Sequence, residues 1–142
     1  MNKYLYFFIC LIIVFVIYLI FDITMITLYV GKQFSKIVSN IQGGRKMIIR
    51  LVPAILCFLL ISFGIVYFVL DKIREDHIIK DSFKYGGVFG AIVYGVFDLT
   101  NYSMFTDYSL KIVMIDVIWG TLLGSIVSIL SKYSIINLVK NQ

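Results

Sequence analysis

Apolar residues fall in four long runs separated by short polar stretches. A bilayer core about 30 Å thick is crossed by about 20 apolar residues in helical form. The first run, 4–30, is broken only by Asp22 and is too long for a signal-peptide core, so it reads as a retained helix. The second, 51–70, carries no charge and has Pro53 in its first turn, where a missing N–H does no harm. The third, 85–102, is glycine-rich and contains Asp98; the fourth, 110–130, contains Asp116. Tyrosines lie near most run ends, matching the preference of amphipathic rings for the membrane interface. Between the first two runs, Phe34, Ile37, Val38 and Ile41 sit at i, i+3, i+4 and i+7. This spacing predicts an interfacial amphipathic helix over about 32–42, ended by Gly43-Gly44. The expected fold is an all-α integral membrane protein, a four-transmembrane-helix bundle forming a single membrane domain over 1–142. Four crossings place both termini on one side.

Composition narrows the class. Of 142 residues, 61% are hydrophobic and 15% charged, against about 25% charged in an average soluble domain. So small a soluble globule could not hide that much apolar surface. The net charge of +5 could indicate nucleic acid, but the cations flank apolar segments rather than form a stripe, so the expected partner is the lipid bilayer and no nucleic acid. Lysine and arginine divide almost evenly between the two faces, which leaves the orientation open. Cys10 and Cys57 both lie in apolar runs and read as packing residues, and His77 sits in a loop with balanced acids and bases. No phosphate loop, nucleophile triad or zinc-ligand spacing occurs, and no cofactor is expected.

The chemistry lies in the intramembrane aspartates. Each costs about 2.5–3.5 kcal/mol on insertion scales, so it needs a reason to be there. Counting crossings fixes the direction of each helix. At 1.5 Å per residue, Asp22, Asp98 and Asp116 then lie roughly 6–12 Å inside the same boundary. The helix faces agree. Gly87, Ala91 and Gly95 recur every four residues and lead to Asp98, while Asp116, Gly120, Gly124 and Ser128 repeat every four. Small-residue stripes let membrane helices approach closely, so these two are expected to pack together and bring two acids to one end of a seam. Tyr94, Asn101, Trp119 and Thr121 lie within about one and a half turns of an acid, and Tyr18, Asp22, Met25 and Tyr29 form one face that closes the site.

The segments Gly90–Asn101 (Gly-Ala-Ile-Val-Tyr-Gly-Val-Phe-Asp-Leu-Thr-Asn) and Ile115–Thr121 (Ile-Asp-Val-Ile-Trp-Gly-Thr) resemble domain-of-unknown-function family 2177. Its pattern is similar to Tyr-x-x-Tyr-Asp-Leu-Thr-Asn followed by Asp-x-x-Trp-Gly-Thr. The resemblance is specific between Gly86 and Leu123, extends to Asp22, and is weak over 31–84. It departs at Met25, where the family has tryptophan, and in lacking a proline after the second helix. It implies four membrane helices and a set of polar positions, but no reaction.

Together these features predict a membrane protein that handles a proton, a cation or an amphipathic solute. Asp22, Asp98 and Asp116 would titrate or coordinate, Thr100, Asn101 and Thr121 would be secondary oxygen ligands, and Trp119 a wall. Hard cations favour such an all-oxygen set. Transport through only four helices would call for a homodimer. A lipid-modifying enzyme is the alternative, but no nucleophile or histidine stands beside the acids, so the reading leans away from catalysis. A purely structural component of a viral or host envelope is the third.

Overall fold

The computed structural model describes residues 2–140, all helical apart from short connections. There are four long helices. α1 spans Lys3–Ile41, α2 spans Leu51–Lys72 and α4 spans Leu110–Lys140. α3 covers 78–104, built from Ile78–Asp81, a wide turn over Ser82–Gly87, and Val88–Met104. α1, α2 and α4 are each long and apolar enough to cross a membrane. α3 falls short of that on composition, because glycines, tyrosines, Asp98 and Asn101 dilute its apolar residues. The fold is thus all-helical with four long helices, three of which are long apolar candidate spans.

α4 is the hub of the bundle. It packs along the whole of α3, which is the most extensive helix contact, and also touches α1 and α2. The interior holds Cys10, Val14 and Tyr18 of α1, Ile65, Val66 and Val69 of α2, and Leu123 and Val127 of α4. On α1 the buried positions Cys10, Val14, Tyr18 and Asp22 are spaced by four, while Phe8, Ile12, Val16 and Ile20 form an equally regular exposed face. The same inversion recurs on α3, whose outer face exposes Val88, Ile92, Val96 and Leu99 while Asp98 is buried. Grease outside and carboxylates inside is what a lipid solvent selects.

Three helices contain wide π-type turns, at Ile26–Val30, Ile65–Val69 and Ser82–Gly87. An added residue in a turn rotates the remainder of the helix by about 100°. In α1 this merges the first run and the predicted amphipathic helix into one element. The segment Gly31–Ile41 does form a helix, and it ends at Gly43 and Gly44, both with positive φ. Its apolar face, however, is turned inward: Phe34 and Ile37 pack on Tyr108, Ile112 and Val113. Gly31 is obligatory in this turn, because a Cβ there would meet the Ile26 carbonyl oxygen.

The α2–α3 connection is pinned by Arg74, whose Nε donates to Asp81 Oδ2 at 2.9 Å and whose Nη2 donates to Oδ1 at 3.2 Å; its backbone N–H also reaches Oδ2. The guanidinium holds the Asp81 carboxyl well below the usual range, at about 2. A depressed folded-state value stabilises the fold above the unfolded-chain value near 4, and that contribution is lost as pH falls from about 4 through 2. Thermal unfolding in detergent between pH 5 and 2 should therefore show a steeper decline for the unaltered chain than for Asp81→Asn. Parallel curves would assign this pair no share in stability.

Candidate functional site

The face of α1 that buries Cys10, Val14 and Tyr18 continues to Asp22, which meets α3 and α4 together. Tyr94 Oη of α3 donates to Asp22 Oδ1 at 2.8 Å, and Trp119 Nε1 of α4 donates to the same oxygen at 3.0 Å. Tyr18 Oη lies 2.9 Å from Tyr94 Oη. Tyr94 has one hydroxyl hydrogen and gives it to Asp22, so Tyr18 is the donor in a relay of Tyr18 to Tyr94 to Asp22. Such chains polarise along their length and strengthen each member. Gly120 explains the placement of Tyr94: a Cβ there would run into the Tyr94 side chain, so a glycine leaves room for the ring to reach across to α1.

Asp98 is completely buried. Tyr108, from the short α3–α4 connection, donates its hydroxyl to Oδ1, while Oδ2 is enclosed with no partner among the described residues. Asp116 is 8% exposed and Asp22 is 7% exposed.

Asp22 and Asp116 share the wall of a pocket of about 300 Å³ between α1, α3, α4 and the 42–50 connection. The rest of the wall is apolar or aromatic: Met25, Ile26, Phe34, Phe97 and Trp119, closed from the connection by Met47 and Ile49. Among the described residues, no lysine, arginine or histidine lines it. The wide turn of α1 forms one side, through Ile26, Val30 and Gly31.

Other residues expected at the site are held elsewhere. Thr100 donates to the Val96 carbonyl, Asn101 to that of Phe97 and Thr121 to that of Val117, each back along its own helix. Back-bonding of this kind uses their hydrogens and leaves the oxygen lone pairs free to accept. Among the described residues, no three His, Cys, Asp or Glu side chains come close enough to hold one metal ion.

The small-residue seam runs through Gly120, Gly124 and Ser128 of α4, and on α3 its tightest approaches are at Gly86 and Gly90, beside Gly87. A Cβ on Gly86 would strike Ser128 and the Gly124 carbonyl, and one on Gly90 would strike the Gly120 carbonyl. Gly87 faces Ser125 and Thr121, and Gly120 and Gly124 lie on the α4 side of the contact. Gly95 meets only Val117, at an ordinary 3.8 Å, and Ala91 is half-buried. Sequence reasoning missed Tyr108 as the partner of Asp98, and Phe34, Phe97, Met47 and Ile49 as pocket walls. The alternation Lys46-Met47-Ile48-Ile49-Arg50, which sends Met47 and Ile49 to this pocket and the others to a basic cleft beyond, was a usable sign.

No curated protein and no solved structure matches the chain. The family described as a predicted membrane protein of unknown function matches residues 7–133, a stretch that includes Asp22, Asp98 and Asp116 and part or all of each of the four helices. The chain belongs to that family, DUF2177.

Proposed function

We propose that this is a four-span membrane protein whose acidic pocket binds the cationic end of an amphipathic solute. The observation that carries this reading is the pairing of two carboxylates, Asp22 and Asp116, in an otherwise apolar pocket with no base in its wall among the described residues. A carboxylate removed from water has to be neutralised by a proton or by a bound cation. A wall of Phe34, Phe97 and Trp119 suits an alkylammonium better than a hydrated metal ion, since aromatic faces attract desolvated organic cations. In this reading the outward apolar face of α3 meets lipid like those of its neighbours, and both termini share one side. A transport cycle would require a second copy, because one filled four-helix core has no spare helix to line a path.

A second reading, proton handling, is favoured by one observation: the buried Asp98 Oδ2 has no donor of its own. Lipid modification gains no specific support, since the hydroxyls beside the acids, Tyr94 and Tyr108, both donate to the carboxylates with no histidine beside them among the described residues.

Trp119 is the only tryptophan in the chain and bonds directly to Asp22, so its fluorescence reports on the pocket. In nanodiscs of zwitterionic lipid, dodecylamine should change Trp119 emission saturably, and dodecanol should not. Asp22→Asn combined with Asp116→Asn should weaken the amine response at least tenfold, equivalent to about 1.4 kcal/mol. Equal responses to amine and alcohol would overturn the reading, as would an unaltered response in the double variant.

A further inference from the structure

A second cleft lies at the other end of the bundle. Lys3 is 19 residues from Asp22 along α1, about 28 Å, and Lys132 is 16 residues from Asp116 along α4, about 24 Å. The first turns of α1, the last turns of α2 and the C-terminal part of α4 enclose a space of about 640 Å³. Lys3, Tyr6 and Lys132 stand over walls that include Phe7, Leu70 and Ile135, and Asp71 shares the rim. Lys132 is half-buried, and its Nζ donates to the Leu70 carbonyl at 3.3 Å. That bond fixes the ammonium at the cleft and uses one of its three hydrogens, leaving two to donate.

We propose that this cleft holds the phosphodiester headgroup of an anionic phospholipid, with Lys3 and Lys132 on the phosphate and an acyl chain along Phe7, Leu70 and Ile135. Charge complementarity selects the class. Two ammonium groups against one Asp71 carboxylate leave a single net positive charge, which matches the single negative charge of a phosphodiester lipid whose headgroup has no cation. The Tyr6 hydroxyl supplies a neutral donor. The apolar walls favour a ligand with a tail over free phosphate, and helix ends with snorkelling lysines place such a site at headgroup level. The inference is independent of the acidic pocket and its ligand.

The test uses the full chain in a neutral detergent, titrated with dioctanoyl phosphatidylglycerol or dioctanoyl phosphatidylcholine, with bound lipid counted by native mass spectrometry. Phosphatidylglycerol should be retained at least fivefold over phosphatidylcholine. Combining Lys3→Gln with Lys132→Gln should abolish the preference, while Lys32→Gln with Lys36→Gln, which removes the same charge elsewhere, should leave it intact. Asp71→Asn should increase retention severalfold, a gain that misfolding cannot produce. Equal retention of the two lipids, equal losses in both lysine pairs, or no gain in Asp71→Asn would overturn the proposal. Displacement of the lipid by millimolar inorganic phosphate would overturn it in favour of a free-phosphate site.

Discussion

Gly90→Ala should lower stability by about 1–3 kcal/mol, the usual penalty for overpacking a tight contact. The added methyl would overlap the Gly120 carbonyl oxygen, which belongs to the backbone of α4 and cannot rotate away as a side chain could. Relief requires α3 and α4 to separate along the largest contact in the bundle. Gly95→Ala is the internal control. It adds the same methyl to the same helix, where only Val117 stands nearby, at 3.8 Å. Thermal unfolding in detergent should show a clear loss at 90 and little change at 95. Identical midpoints would mean that the helices are not held at backbone distance by this seam.

The second large effect is expected at the α3–α4 connection. Tyr108 is the sole donor to a carboxyl group sealed from solvent, so Tyr108→Phe strips Asp98 of its only hydrogen bond among the described residues. Leaving a buried polar group unsatisfied costs about 1–3 kcal/mol, and more if the group is charged. Removing both partners is a different matter. Asp98→Leu together with Tyr108→Phe substitutes apolar groups of similar shape and should regain most of the loss, because nothing is left wanting a partner. A double-mutant cycle on unfolding free energies measures the coupling. Additive losses would show that the hydroxyl and the carboxylate do not depend on each other.

How far the molecule was legible in its sequence depends on the scale of the signal. α2 follows from an uncharged apolar run and α4 from one that carries charge only at Lys111 and Asp116, and in both hydropathy and helical structure point the same way. The union of the first run with 31–41 was not legible, because the wide turn at Ile26–Val30 has no composition of its own, and past it Phe34 and Ile37 pack half-buried against Tyr108, Ile112 and Val113. A similar turn at Ser82–Gly87 adjoins the tightest approaches of the seam, at Gly86 and Gly90. At the site, the shared level of Asp22 and Trp119 could be counted from residue numbers, and their hydrogen bond spans 97 positions of chain. Thr100, Asn101 and Thr121 could not be placed in that way, since a hydroxyl or amide on a helix chooses between its own backbone and a distant ligand. Spacing carries no record of that choice.

α3 also differs from its neighbours in how it could enter a bilayer. By length and composition it is not among the helices apolar enough to cross a membrane, and it carries an aspartate. On the four-span reading, its carboxyl group is sheltered only once Tyr108 and α4 have emerged behind it and the glycines have docked. On that reading the apolar α4 carries α3 with it, and the hairpin from 78 to 140 enters the bilayer as one unit.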